Sequence, residues 1–204
     1  MTPSLRNLIG WFRSGKHKCA VKGLNLITLY HTDINGIQTP VNYRIYDKSE
    51  RKTKNDYFPE MSSEVYDRGM RPSRVTGYCR HSGNNNLKSI KNYAQGFMFG
   101  IKGNRPASVS GTKDYCHVRD IDIPEDGITC FLKCFGEVAI FKKEFRNEFR
   151  FYIISLQNKD AGTARRRDDF IKQHDIHWNI ERCRRAIKQR CNIERFQTGT
   201  QSLS

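Results

Sequence analysis

Asp168 to Ile193 reads DDFIKQHDIHWNIERCRRAIKQRCNI, and its spacing predicts a long helix. Ile176, Ile180, Cys183, Ile187 and Cys191 step by 4, 3, 4 and 4 residues, which draws one apolar stripe. His174, His177, Glu181, Arg184 or Arg185, and Lys188 draw a second, polar stripe at helical spacing. Glu181 and Lys188 are two turns apart and share a face. A carboxylate set among imidazoles and cations has the chemistry to hold a metal ion beside a phosphate. The same spacing also describes a solvated basic face with ion pairs between neighbouring turns.

Working back from this helix, Lys159 to Arg167 is a basic linker, and the stretch from Gly103 to Ile154 has a different texture. Short alternating runs recur at Cys116–Ile123, Ile128–Phe135, Glu137–Phe141 and Phe149–Ser155, with Gly and Pro between them, and predict a small antiparallel β-insertion. Further upstream, strands and helices alternate in an α/β order. Val21 to Tyr30 is apolar enough for one buried strand, and Val41 to Tyr46 reads as its hairpin partner across an Asp33–Gly36 turn. Asp56 is placed to cap a helix running to about Tyr66. Arg74 to Gly77 is a short strand, Asn84 to Tyr93 a helix with Gly96 suited to its C-terminal end, and Phe97 to Ile101 a buried strand.

Of 204 residues, 36 are Lys or Arg and 21 are Asp or Glu, giving a net charge of +15. That balance favours a polyanionic partner, most often nucleic acid. Between Ala161 and Arg195 ten cations face five carboxylates; with Lys16, Lys18, Lys22, Lys48, Arg51, Lys52 and Lys54 they could line a DNA groove. No run approaches the ~18 apolar residues of a membrane helix. The apolar run at Leu8–Phe12 is too short for a secretory signal. Seven cysteines, an odd number, point to free thiols in the cytoplasm. There is no G-x-x-x-x-G-K-[ST] loop and no G-x-G-x-x-G, which argues against ATP- or NAD-dependent chemistry. Cys130 and Cys134 lack a second Cys/His pair at zinc spacing.

The identities within the blocks carry a further signal. His177-Trp178-Asn179-Ile180-Glu181-Arg182, Arg185-Ala186-Ile187-Lys188-Gln189 and Cys191-Asn192-Ile193-Glu194-Arg195-Phe196 resemble the last motif block of DDE-type transposases of bacterial insertion sequences. The branch is the one whose final motif is Tyr–x2–Arg–x3–Glu–x6–Lys. Glu181 and Lys188 match, while His174 and His177 fill the Tyr and Arg positions. Upstream, Val21–Asn25, Pro40–Lys48 and Lys52–Phe58 agree in the same order, so the likeness runs from about Trp11 to Phe196.

The resemblance implies a ribonuclease-H-like α/β core with a mainly β insertion before the last helix. It implies phosphoryl transfer on DNA, with two Mg²⁺ ions held by two Asp and one Glu that stabilise attacking and leaving oxygens. Glu181 would be the metal-binding catalytic carboxylate. Lys188, with Arg184, Arg185, His177 and His174, would contact DNA. The chain departs from the family at two places. The family's first strand, with its Asp, precedes the block near Arg6 to Trp11, and the second Asp position is Tyr78, a poor Mg²⁺ ligand near neutral pH. Asp33, Asp47 and Asp56 each read as local structural residues and not as substitutes.

The expectation is therefore an incomplete core at 1–102 lacking its first strand, a β-rich insertion at 103–158, a core helix at 159–196 carrying the Glu motif, and a tail at 197–204. The expected activity is that of a transposase remnant which binds Mg²⁺ weakly and is catalytically inactive. A non-specific DNA-binding module, or a regulator that pairs with an intact transposase, is the alternative.

Overall fold

Asn35 and Gly36 turn the chain back on itself, and the turn shows how the local sequence sets the first hairpins. The Asp33 carboxylate accepts hydrogen bonds from the backbone N–H groups of Asn35 and Ile37, at 2.9 and 2.8 Å, and Gly36 takes a left-handed φ of +83°. The computed structural model describes residues 8–13, 18–33, 35–155 and 167–178. β1 (Gly10–Arg13) pairs with β2 (Ala20–Gly23), and β3 (Leu26–Thr32) pairs with β4 (Gln38–Ile45), both antiparallel. The single strand expected over Val21–Tyr30 is thus two. It breaks at Leu24-Asn25, between the β1–β2 pairing that ends at Gly23 and the β3–β4 pairing, which the Tyr46 N–H donating to the Asn25 carbonyl extends one step past Leu26–Ile45.

α1 (Lys54–Asp67) has Thr53, not Asp56, at its N-cap. Asp56 is the third helical residue, and its carboxylate reaches back to the Thr53 N–H at 2.6 Å, closing a capping box. Tyr57 and Met61 bury against Ile27 of β3, while Glu64 holds Arg44 and Asn42 of β4. β5 (Arg74–Gly77) is followed by α2 (Asn84–Asn92) and β6 (Gly96–Ile101). The left-handed residue after α2 is Ala94, φ +55°, and the Gly96 expected at that end opens β6 instead.

The remaining strands are β7 (Pro106–Ser108), β8 (Cys116–His117), β9 (Ile128–Leu132), β10 (Gly136–Phe145) and β11 (Glu148–Ile154). With β5 and β6 they form one mixed seven-stranded sheet, in the order β5-β6-β11-β10-β9-β7-β8. Among the described residues only β5–β6 is parallel. The strands of the 103–158 segment therefore continue the sheet that β5 and β6 begin. Cys116–Ile123 gives only two strand residues before turning at Val118–Asp120. The helix at residues 167–178, α3, lies across one face, so the fold is mixed α/β with three α-helices among the described residues.

The central strands read as unbroken apolar runs because both their faces are covered. Val138, Ile140 and Ile153 join Phe97, Phe99 and Ile101 beneath α1 and α2. Ala139, Phe141, Tyr152 and Ile154 join Met98 beneath Phe170 of α3. Gly127 shows how tight this second layer is. Its φ is +76°, and a Cβ there would lie 2.6 Å from the ring of Phe141, which is 1% exposed. Gly127→Ala is expected to lower stability by about 3 kcal/mol in denaturant unfolding, from left-handed strain plus overpacking. Gly36→Ala, with a similar φ but open space around it, should cost about 1 kcal/mol.

Candidate nucleic-acid interface

α3 meets the sheet through residues spaced by four. The Phe170 ring stacks on Phe141 with centroids 4.5 Å apart and planes within 5°. His174 sits edge-on to Tyr152 at 5.3 Å, and Trp178 stacks on Phe145 at 5.8 Å. On the adjoining side of α3, Asp169 pairs with Arg74 of β5 at 3.5 Å, and His177 lies edge-on to Tyr78 at 5.0 Å. At the start of the helix, Arg167 binds Glu125 and Asp126.

This corrects the stripe expected from the sequence. His174 and His177, taken there as part of a polar face, are only 4% and 8% exposed. Ile171 is 44% exposed, and Ile176 is half-buried. An imidazole has aromatic faces as well as polar nitrogens, and here the faces carry the packing. Glu181, Arg184, Arg185 and Lys188 lie outside the described residues.

Two of the positions singled out by sequence do come together, Tyr78 and His177. Tyr78 follows β5 and leads into the turn at Cys79–His81. A phenol and an imidazole are not the hard, anionic oxygens that Mg²⁺ requires, so the described part of this site does not fit that ion. Among the described residues no three His, Cys, Asp or Glu side chains group as metal ligands. The other carboxylates have local tasks. Asp47 accepts the Ser49 N–H at 2.8 Å, and Asp33 and Asp56 hold the turn and the cap described above.

Where α3 crosses β10 and β11, a cleft of about 430 Å³ opens between Lys143, Phe145, Arg150, His174 and Trp178. Lys143 and Arg150 are directly opposite each other across the two strands, so two cations share one face at one rung. Like charges in that position are destabilising unless something offsets them. Arg150 spreads its guanidinium over the Phe145 ring at 3.8 Å. Glu144 and Asp175 border the cleft. The Lys143 Nζ lies 3.2 Å from His174 Nδ1, and the Trp178 Nε1–H donates to His174 Nε2 at 3.0 Å. A neutral imidazole has one acceptor nitrogen, so Lys143 and Trp178 compete for it, and a protonated ring has none. Burial, and then the Lys143 charge, hold His174 below its ordinary pKa, with Asp175 acting in the opposite sense.

Comparison with protein-family models, with curated proteins and with solved structures finds no match. Chemistry at the cleft must therefore be argued from its own residues. Lys143, Phe145 and Arg150 escape as site residues because the sequence reading stops one strand at Phe141 and resumes the next at Phe149, while Trp178 enters it only as part of the motif block. The signal was present in KKEFRNEFR, residues 142–150, whose Arg-Asn pair can turn two alternating runs into a hairpin. Among the described residues no helix is long and apolar enough to cross a membrane.

A histidine held below its ordinary value gives the folded chain fewer bound protons than the unfolded one. His174 therefore contributes stability that is present above its ordinary value of 6.5 and lost as pH falls below it, until the folded ring itself titrates. Thermal unfolding followed from pH 7.5 to pH 5 should give a falling Tm. His174→Gln, whose amide oxygen can still accept from Trp178, should make the fall shallower.

Proposed function

We propose that this chain is a DNA-binding protein of the transposase type that holds DNA without cutting it. The observation that carries the reading is the Lys143–Arg150 pair. Two cations are set on one rung, flanked by Phe145 and Trp178, where an anion would relieve their repulsion. The net charge of +15 supports a polyanion as that ligand. The motif blocks from Val21 to Phe196 support the transposase reading. The β3–β4 hairpin, the parallel β5–β6 pair joined through α2, and α3 across the sheet support a ribonuclease-H-like core.

Phosphate oxygens of the backbone would meet Lys143 and Arg150, while Phe145 and Trp178 wall the cleft with apolar surface. Each such contact releases condensed counterions, so affinity must fall with salt. Cleavage would need a second carboxylate where Tyr78 stands, and a phenol supplies none. By the same resemblance the protein would act in the cytoplasm, on DNA.

Fluorescence anisotropy with a labelled 20-base-pair duplex tests the reading. Binding should weaken roughly tenfold or more between 50 and 200 mM salt. The double variant Lys143→Ala/Arg150→Ala should bind more weakly, with a salt slope reduced by about two, while keeping its circular dichroism. The duplex should remain intact with Mg²⁺ or Mn²⁺. Binding that ignores salt, or nicking abolished by Glu181→Ala, would overturn it.

A further inference from the structure

Along the wall of the cleft opposite α3, β10 and β11 continue past their neighbours in the sheet. β9 pairs with β10 only as far as Ile140, and β6 with β11 only as far as Phe151. The rungs Lys143–Arg150, Glu144–Phe149 and Phe145–Glu148, and the turn that follows, therefore stand out as a two-stranded ribbon. At ~3.4 Å per residue it extends about 13 Å from the sheet. Trp178 and Arg150 brace one face of it by stacking on Phe145. Eight of the nine residues from Lys142 to Arg150 are exposed, among them Phe149 at 59%.

The turn itself is unusual. A two-residue hairpin turn of this type needs left-handed conformations at both central residues and favours Asn-Gly. Here the pair is Arg146-Asn147, with φ of +53° and +61°. Asparagine tolerates that region, whereas arginine pays a steric cost there. A charged side chain that only had to be soluble would be better placed on a strand. Cations also stand on both faces of the ribbon, with Lys143 and Arg150 on one, Lys142 over the Phe149 ring on the other, and Arg146 at the tip. Four cations accompany two carboxylates, Glu144 and Glu148. A ligand with negative charge on both sides of a slot matches that distribution better than a flat surface does.

We propose that the Lys142–Arg150 ribbon inserts into the major groove of duplex DNA, with Arg146 at the base edges and the flanking cations on the phosphates of the two groove walls. This rests on the DNA-binding reading above and adds to it the form of DNA and the element that reads it. The major groove is ~12 Å wide and ~8.5 Å deep and admits a two-stranded ribbon, while the ~6 Å minor groove does not. The ribbon is long enough to reach the groove floor. Arginine is the side chain that most often reads a base there, through the O6 and N7 of guanine.

The test is Arg146→Gly on the full chain, with the same 20-base-pair duplex and with that duplex partially methylated at guanine N7 and adenine N3. Glycine suits the turn better than arginine, so melting temperature should hold or rise. Affinity for the duplex should fall about tenfold, the loss of one good base contact. In the wild type, methylation at guanine N7, in the major groove, should interfere at a short run of adjacent positions, and Arg146→Gly should abolish that pattern. Should the glycine variant misfold, Arg146→Asn, which also tolerates the left-handed region, must show the same loss. Unchanged affinity in a folded variant, or interference confined to adenine N3 in the minor groove, would overturn the groove assignment and leave DNA binding standing. No binding to any duplex would overturn both.

Discussion

β10 and β11 are buried on both faces over residues 138–141 and 151–154, and the other layers depend on that. Ile140 and Ile153 are fully buried in the core shared with α1 and α2. Their chain neighbours Phe141 and Tyr152 face the opposite way, into the layer under α3. A strand that alternates between two cores cannot shift its register by one residue without exchanging them. The register then fixes what happens beyond the core. Once Ala139 faces Ile154 and Phe141 faces Tyr152, Lys143 must face Arg150, and the turn must fall at Arg146-Asn147. The cationic rung and the tip arginine are thus consequences of packing several residues away.

α3 depends on the same pair of strands. Its ring-to-ring contacts run from Phe170 on Phe141, through His174 on Tyr152, to Trp178 on Phe145, and each receiving residue lies on the α3 face of the hairpin. Burying an imidazole in that row removes it from water and sets it against Lys143, which accounts for its reluctance to accept a proton. Packing and electrostatics are therefore coupled at one side chain. The helix is docked by a ring that burial, and then the neighbouring cation, keep from taking up a proton.

Local patterns in the sequence identify those elements whose cause is local. Arg74–Gly77 and the hairpin around Asn35-Gly36 follow from turn chemistry and alternation alone, and Phe97–Ile101 from a continuous apolar run. The break at Leu24-Asn25 does not, because it falls where the chain passes from pairing with β1 to pairing with β4. Nor does the packed face of α3, because hydropathy ranks histidine with the polar residues while its flat ring packs like an aromatic. Of the candidate site, His174, His177 and Tyr78 were legible as positions, and the structure places them in or beside the α3 contact. Lys143 and Arg150 were not. Seven residues apart in sequence, they become neighbours only when Arg146-Asn147 turns the chain.

A protruding ribbon rich in Lys and Arg has a second physical use, since charge on an exposed strand edge discourages pairing with another chain. That use accounts for Lys142 and Lys143, which stand beyond the reach of β9. It does not account for Arg146. An edge is protected by charge along its strands, and the turn between them has no ladder to protect. The position requires a left-handed backbone, and Asn-Gly would fill it at lower conformational cost while leaving the neighbouring lysines in place. Nor is Arg146 needed to brace the ribbon, because Phe145 is already covered by Arg150 at 3.8 Å, with Arg146 farther off at 5.2 Å. What the arginine adds is five hydrogen-bond donors in a planar fork at the far end of a braced projection, a geometry suited to a ligand with acceptors at the bottom of a groove.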